Sequence, residues 1–333
     1  MIIPFFIPHS GCPHQCVFCN QKKITGEQSA PAPSEIASKI TDYLRLHADG
    51  GQSEVAFYGG TFTALPPDLQ RAYLAPVQPE IQAGRIKHIR ISTRPDSIDS
   101  SVLALLREYH VAVVELGAQS MDDNVLLRSG RGHTAADTVN ALGLLKTNRF
   151  IVGVQLMPGL PGDTAATIQQ TMERVIRLQP DFVRLYPALV LKDTAMENLY
   201  RTGNYSPLSL DEAITVCKQA YLRLAKAGII IVRLGLQPTA ALSKPGTVLA
   251  GPYHPAFRQL VESEILLDAM RSALLSKPTA SENALFLVRP EDKSAAIGQR
   301  RTNIMRLKEE FHLTDVRFRD DREIPRLSVA IME

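Results

Sequence analysis

The feature that most constrains the fold is a regular alternation of short apolar segments with segments of helical periodicity. Seven apolar segments of strand length occur, at residues 2–7, 54–58, 86–92, 111–116, 150–157, 182–186 and 229–234. Their apolar positions run consecutively, which is typical of strands covered on both faces in a parallel sheet. Six or seven such strand–helix units in one domain predict an α/β fold, a partial or complete TIM-like (β/α) barrel.

After about residue 238 this alternation stops. The remaining residues read as a loop rich in Pro, Gly and Ser, a long helix, and a strand and helix followed by two short strands. These segments are predicted at residues 240–253, 256–275, 284–288 and 297–311, and near Val316 and Leu327. We therefore predict a barrel domain over residues 1–237, and a covering helix with a small α+β appendage over residues 238–333.

Glycine and polar residues follow several of the predicted strands directly, at residues 59–62, 93–96, 117–120 and 158–164. Each of these segments taken alone is an ordinary turn between a strand and a helix. In a barrel, however, the C-terminal ends of the strands meet at one face, where the chemistry of such folds is located. The sequence therefore predicts one shared site at this face.

Three of the four cysteines lie within eight residues, directly after the first predicted strand: Cys12, Cys16 and Cys19. This clustering does not suit a disulfide framework and indicates metal ligation in a reducing compartment. Thiolates are suitable ligands for iron–sulfur clusters or zinc. The fourth cysteine, Cys217, lies on an apolar helical face and is predicted to be a buried core thiol. On this loop alone, a structural zinc site completed by His9 or His14 stays an alternative.

Composition narrows the class of protein further. The 333-residue chain is 45% hydrophobic and 21% charged, which is ordinary for a folded, soluble protein. Its formal charge of +3, from 37 Lys+Arg against 34 Asp+Glu, does not by itself indicate a nucleic-acid partner. No segment approaches the ~18 apolar residues of a membrane span, and the apolar start lacks the basic region of a signal peptide. We expect an unprocessed cytoplasmic protein without a membrane partner.

The cysteine spacing, the aromatic residue before the third cysteine and the Gly-Gly-Thr segment after the second strand resemble the radical S-adenosylmethionine (SAM) superfamily. The resemblance implies that Cys12, Cys16 and Cys19 hold a [4Fe–4S] cluster. One iron is then left open for the amino and carboxylate groups of SAM. It also implies an enzyme that cleaves SAM reductively to a 5′-deoxyadenosyl radical, which abstracts hydrogen from a substrate. A reductant such as ferredoxin or flavodoxin is the implied electron donor.

Contacts to SAM carry over residue by residue. Phe18 corresponds to the residue beside the adenine, and Gly59, Gly60 and Thr61 correspond to the segment that holds the methionine amine. Thr61 stands where an acidic residue is commoner in the superfamily. The glycines suit this role because a backbone without Cβ atoms can approach a ligand closely.

Later segments resemble the subgroup that contains oxygen-independent coproporphyrinogen oxidase and the catalytic subunit of Elongator. Ser92 and Gln119 fall at the third and fourth strand ends, where this subgroup contacts the ribose and the rest of SAM, and Arg131 follows Gln119 by twelve residues. Gln155 lies in the fifth-strand segment. Ser92 and Gln155 replace acidic residues of the subgroup, so the resemblance predicts ribose contacts without carboxylates.

Within this subgroup, residues 4–225 resemble the radical domain of the Elongator subunit most. This resemblance implies that the substrate is an RNA nucleotide, for example one in tRNA. That subunit continues into an acetyltransferase domain, for which we expect no room here. Two other functions stay open: a radical SAM enzyme acting on a small metabolite such as a tetrapyrrole, and a non-catalytic zinc or iron–sulfur binding module.

Residues that contact the substrate are expected from the sixth strand onward. Tyr186 lies at the end of that strand and is a candidate. Arg300 and Arg301, together with Lys22 and Lys23 beside the cysteine loop, are candidates for a stripe that binds RNA. The alternative for these four basic residues is a solvated surface of mixed charge.

Overall fold

The computed structural model describes residues 1–47, 53–276 and 282–332. Its strands in chain order are β1 Ile2–Phe6, β2 Ser53–Tyr58, β3 Ile86–Thr93, β4 Val111–Gln119, β5 Ile151–Leu156, β6 Phe182–Leu185, β7 Val190–Leu191, β8 Ile230–Leu234, β9 Val248–Ala250, β10 Asn283–Val288, β11 Asp315–Asp320 and β12 Val329–Ile331. Its α-helices are α1 Gln21–Thr25, α2 Ile36–Leu46, α3 Pro67–Leu74, α4 Gln78–Gln82, α5 Ser100–Glu108, α6 Asp123–Arg128, α7 Ala135–Thr147, α8 Ala165–Leu178, α9 Ala195–Arg201, α10 Leu210–Lys226, α11 Phe257–Leu275, α12 Lys293–Ile297 and α13 Thr302–Phe311.

A seven-stranded sheet contains all seven strands predicted from the alternation. Its order is β1-β2-β3-β4-β5-β6-β8, and every neighbouring pair is parallel. The sheet curls into a half-barrel, with β1 and β8 at its two edges, so the predicted partial TIM-like barrel is confirmed. Because all strands run the same way, their C-terminal ends share one side of the sheet.

Side-chain caps determine where several helices after these strands begin. The Asp99 side chain accepts a hydrogen bond from Val102 N at the start of α5, and Thr164 Oγ1 accepts one from Thr167 N at the start of α8. Such caps satisfy backbone N–H groups that have no partner within the helix. Each cap follows a strand end closely, which keeps the connections short.

The chain divides into two compact units. The first comprises Met1–Ser209 and Leu222–Tyr253, and the second comprises Leu210–Tyr221 and the described residues from His254 onward. The domain boundary predicted between residues 237 and 238 stays a prediction. Within the described ranges, no helix has the length and apolar character needed to cross a bilayer.

The second unit contains a three-stranded sheet of order β11-β10-β12, in which β10 is parallel to β11 and antiparallel to β12. Phe286 on β10, Leu307 on α13 and Met270 on α11 are fully buried members of its core. Cys217 on α10 is also fully buried, which confirms the prediction of a core thiol. Burial raises the pKa of this thiol to about 12.

Two local predictions for the later part of the chain were incomplete. The predicted loop at 240–253 contains β9, which pairs antiparallel with β7. The predicted helix at 297–311 is interrupted after α12, because Gly298, Arg300 and Arg301 have φ values of +78°, +51° and +63°. An α-helix requires negative φ, so the helix begins again only at α13.

Close packing between β5 and β6 generates a first prediction. A Cβ on Gly153 would lie 2.2 Å from the Phe182 ring, so Gly153→Ala should lower the free energy of unfolding by about 1–3 kcal/mol. A Cβ on Gly143 of α7 would meet no described atom within 4 Å, so Gly143→Ala should raise it by about 0.5–1 kcal/mol. Urea unfolding of the three proteins measures both changes, and equal effects of the two substitutions would contradict the packing of Phe182 on Gly153.

Candidate active site

The loop after β1 and the loop after β2 are joined by backbone hydrogen bonds. Ile7 N donates to Tyr58 O at 2.9 Å, and Thr61 N donates to Ser10 O at 2.8 Å. Gly60 has a φ of +61°, and a Cβ at this position would lie 2.3 Å from Ser10 O and 2.7 Å from Ile7 O. Glycine is therefore required where the two loops meet, both for its backbone conformation and for space.

Gln21 at the start of α1 links the same two loops through its side chain. Its Oε1 accepts hydrogen bonds from His9 N at 2.6 Å and from Gly60 N at 2.9 Å. Gln21 N donates to His9 Nε2 at 3.2 Å. Burial and the charge of Lys22 lower the pKa of His9, in keeping with a neutral ring that accepts this bond. His9 Nε2 is thus engaged by the backbone, while Gln21, which sequence reasoning missed, positions the loop.

The three clustered cysteines are free thiols, of which Cys16 is buried and the other two are partly buried. Cys12 Sγ lies 3.3 Å from Thr61 Oγ1, and Arg131 Nη1 donates to Cys16 Sγ at 3.2 Å. These contacts bring the predicted metal ligands to two of the residues predicted to contact SAM.

Burial and mutual repulsion oppose ionisation of these thiols. Desolvation, followed by the charges of Cys16 and Cys12, raises the pKa of Cys19 to about 12. Desolvation also raises the pKa of Cys12, although the hydrogen bond with Thr61 and the charge of Arg131 counteract part of this rise. A cationic centre compensates such repulsion, since metal ligation keeps thiols deprotonated. The donor set therefore fits an iron–sulfur centre.

Among the residues that the structure describes, no three Cys, His, Asp or Glu side chains are gathered closely enough to share one metal ion. A cubane iron–sulfur cluster does not need its cysteine ligands to converge on one point, because each thiolate binds a different iron. Cys12, Cys16 and Cys19 are the thiols that would hold such a cluster.

Arg131, which follows α6, connects the cysteine loop to β4. Besides its bond to Cys16, it donates from Nη2 to Gly117 O at 2.5 Å. Its side chain is buried, and its Nε has no hydrogen-bond partner among the described residues. A Cβ on Gly117 would lie 2.9 Å from Gln119 Nε2, so the glycine makes room for both neighbouring side chains.

Three further residues predicted to contact SAM lie on neighbouring strands: Ser92 on β3, Gln119 on β4 and Gln155 on β5. Gln119 ends β4 with a φ of +69°, and its Oε1 accepts a hydrogen bond from Gln155 Nε2 of β5 at 3.2 Å. Ser92 on β3 is half-buried and is in register with Glu115. The structure thus brings Gln119 and Gln155 together at adjacent strand ends.

Phe18 is buried in an apolar cluster rather than exposed at the strand ends. Its neighbours in this cluster include Cys16, Val125 and Met196. The backbone supports this packing, because Val17 O accepts a hydrogen bond from Met196 N at 2.8 Å. The aromatic residue therefore anchors the cysteine loop in the core of the first unit.

Sequence reasoning also missed an ionic network on the inner face of the half-barrel. Glu115 is buried, and its carboxylate accepts hydrogen bonds from Arg90 Nη1 at 2.9 Å and from Arg184 Nη2 at 2.9 Å. The sequence signal that could have indicated this network is Glu115 itself, a lone glutamate within the apolar run of the fourth strand. Its partners lie on β3 and β6, whose residues approach Glu115 only in the folded sheet.

Family models identify the class of protein that carries this site. A model of the radical SAM superfamily matches residues 6–175, and a model of the radical SAM C-terminal domain matches residues 180–266. The first match spans just over half of the chain. The chain therefore belongs to the radical SAM superfamily, whose enzymes use SAM, an iron–sulfur cluster and a reductant, and the predicted family is confirmed.

Similar proteins include Elongator-type proteins. The tRNA uridine(34) acetyltransferase of Methanocaldococcus jannaschii is 25% identical over 249 residues, covering 63% of this chain and 46% of that protein. Elongator complex protein 3 of Dictyostelium discoideum is 28% identical over 206 residues, covering 53% of this chain and 36% of that protein. The chain thus matches about half or less of the length of these relatives.

A solved structure of the archaeal Methanocaldococcus infernus Elp3, with an N-terminal deletion, has a similar fold. Its TM-score is 0.64 at 22% sequence identity, and the superposition covers 79% of this chain and 62% of that chain. This likeness supports the predicted Elongator-like fold.

The contact between the first two loops generates a second prediction. Gly84 also has a positive φ, +70°, but a Cβ there would meet no described atom within 4 Å. Gly84→Ala should therefore cost only the backbone strain of about 1–2 kcal/mol, whereas Gly60→Ala should cost about 1–3 kcal/mol more because of its collisions. Urea unfolding compares the two variants, and an equal loss of stability would show that the loops do not meet at Gly60.

Proposed function

We propose that this enzyme holds a [4Fe–4S] cluster through Cys12, Cys16 and Cys19 and binds SAM at the C-terminal ends of the strands. The observation that carries the proposal is the pair of contacts that joins the cysteine loop to the strand ends, from Cys12 to Thr61 and from Cys16 to Arg131. Three thiols and a glycine-rich backbone are thereby assembled at the face where barrel folds place their chemistry.

When bound, the cluster and SAM supply an electron transfer and a 5′-deoxyadenosyl radical that abstracts hydrogen from the substrate. The chain's own residues bind and orient. Gly59 and Gly60, whose missing Cβ atoms leave room for Gln21 and the cysteine loop, would offer their backbone polar groups to the methionine end of SAM. The hydrogen-bonded amides of Gln119 and Gln155, with Ser92 nearby in the sheet, offer neutral partners to the ribose hydroxyls.

Phe18 and Arg131 have supporting roles in this proposal. Phe18 anchors the cysteine loop through its apolar cluster, and in this proposal it supports the adenine side of the site. Arg131 places a permanent positive charge and two hydrogen bonds between the cysteine loop and β4. A positive charge at this position would stabilise electron-rich sulfur ligands.

We further propose a nucleotide of tRNA as the substrate, with ferredoxin or flavodoxin as the reductant. Support comes from the relative named tRNA uridine(34) acetyltransferase, which matches this chain over 249 residues. We propose a tRNA nucleoside as the group acted on, but we do not propose acetyl transfer, because the match covers 46% of that protein. A cytoplasmic location fits both the RNA and the need to keep thiols reduced. In this proposal, residues 1–237 carry the chemistry and residues 238–333 form the α+β appendage.

Replacing a proposed cluster ligand tests the core of this function. Cys16→Ser should reduce the iron content of the anaerobically reconstituted protein and abolish formation of 5′-deoxyadenosine, because the hydroxyl is a much poorer ligand for iron than a thiolate. The matched control is Cys217→Ala, which alters the buried cysteine of the second unit. Retained SAM cleavage in Cys16→Ser would contradict the assignment.

Removing the arginine that contacts Cys16 tests whether it acts on the cluster. Arg131→Met should shift the midpoint potential of the reconstituted cluster to more negative values, because hydrogen bonds and positive charge near the sulfurs favour the reduced form. An anaerobic redox titration followed by electron paramagnetic resonance measures this shift.

Arg174→Met is the control for this shift, since Arg174 also donates from its guanidinium to a backbone carbonyl, that of Met121, at 2.6 Å. An unchanged potential in Arg131→Met would show that the bond to Cys16 Sγ does not act on the cluster.

A further inference from the structure

The inner face of the half-barrel carries a chain of paired charges that ends at Arg184. Its Nε lies 2.7 Å from Glu115 Oε2, and Glu115 is also bonded to Arg90. Arg90 in turn donates from Nη2 to Glu54 Oε2 at 2.7 Å. Glu54 is ionised at neutral pH, because His88 and Arg90 lower its pKa to about 2. Two guanidinium groups are therefore balanced by two carboxylates.

Arg184 also holds two tyrosine hydroxyls. It donates from Nη2 to Tyr58 Oη at 3.0 Å and from Nη1 to Tyr186 Oη at 3.2 Å, and its guanidinium lies 5.1 Å from the centre of the Tyr58 ring. Arginine is only a donor, so each tyrosine oxygen serves as the acceptor in these bonds. Each hydroxyl hydrogen is left to donate to a further acceptor, and the described residues provide none.

Both tyrosines lie at the C-terminal ends of strands of the half-barrel. Tyr58 is the last residue of β2, directly before Gly59 and Gly60, and Tyr186 directly follows β6. Both side chains belong to half-buried residues. The Phe6 ring lies 6.1 Å from the Tyr58 ring, centre to centre, with the planes tilted by 37°. The edge of the sheet therefore offers an aromatic surface beside two hydroxyl donors.

Charge bears on the kind of ligand that this face can hold. Arg184 and Arg90 are each paired with a carboxylate, whereas Arg233 on β8, in register with Arg184, bonds the neutral Gln237 amide and is the positive group that an anionic ligand would meet. Burial and the charge of Glu115 raise the pKa of Tyr58 to about 12, so its hydroxyl stays neutral and keeps its hydrogen. Neutral donors beside an aromatic ring suit a neutral, planar ligand with acceptor oxygens, because bases are recognised by stacking and by hydrogen bonds to their edges.

We propose that the Tyr58 and Tyr186 hydroxyls form a subsite that binds the carbonyl oxygens of a nucleobase in the substrate. This proposal rests on the proposed function, in which the substrate is an RNA nucleotide. Arg184 is the positioning residue: it orients both hydroxyls through hydrogen bonds and is itself fixed by Glu115. A phosphate or carboxylate bound at Arg233 is the competing possibility, and competition by inorganic phosphate distinguishes the two.

Binding of free uridine to the anaerobically reconstituted enzyme with SAM tests the subsite. Uridine presents two ring carbonyls without a phosphate, and saturation-transfer NMR measures its weak binding. Tyr58→Phe and Tyr186→Phe should each raise the uridine dissociation constant about three- to tenfold, the value of one neutral hydrogen bond. Inorganic phosphate at equal concentration should not displace uridine.

Tyr73→Phe is the matched control, because the Tyr73 hydroxyl also makes one hydrogen bond, to Pro31 O at 2.9 Å. This variant should bind uridine as the unmodified enzyme does. The subsite would be overturned if the enzyme did not bind uridine, or if neither Tyr58→Phe nor Tyr186→Phe weakened the binding. Displacement of uridine by phosphate would also overturn it.

Formation of 5′-deoxyadenosine by the unmodified enzyme is recorded in the same samples. If SAM is cleaved but the uridine criteria fail, the subsite is wrong and the radical function stands. If no SAM is cleaved, the proposed function itself fails.

Discussion

The closeness of the first two strand-end loops is the constraint on which the site depends. The cysteine loop has little regular structure of its own. Its course is held by two bonds to the loop after β2: Thr61 N donates to Ser10 O, and Gly60 N donates to Gln21 Oε1. Parallel pairing of β1 and β2 places the starts of both loops side by side. Glycine at position 60 then allows a backbone approach that a side chain would prevent. A thiol-bearing loop is thereby held against a segment suited to a cofactor.

A second constraint comes from burying charge inside the half-barrel. Desolvating an ion pair costs several kcal/mol per ion unless the geometry compensates, so a fully paired network is a demanding arrangement. Glu115 meets this demand by bonding two arginines at once. The network contributes little net charge but holds polar groups in fixed orientations, which agrees with a lumen that orients a substrate. In the proposed function, the cysteine loop would hold the cluster, and this network would orient groups that contact the substrate.

Much of the fold could be predicted because parallel strands and their helices have local signatures. The seven strands of the half-barrel, the glycine turns at their ends and the cysteine loop were all visible as patterns within a few residues. Pairing between β7 and β9 was not, because two- and three-residue strands have no periodicity. The roles of Gln21 and Arg184 depend on partners far away in the chain, so no local pattern marked them. The break near Gly298 reflects left-handed backbone at two arginines, which residue type does not predict.

Transfer of hydrogen from tRNA to the cofactor tests the account most directly. The reconstituted enzyme would be incubated anaerobically with SAM, a reductant and tRNA deuterated at carbon, and the 5′-deoxyadenosine analysed by mass spectrometry. The account predicts deuterium in 5′-deoxyadenosine with labelled tRNA and none with unlabelled tRNA. Formation of 5′-deoxyadenosine that stays free of deuterium in the presence of labelled tRNA would contradict it.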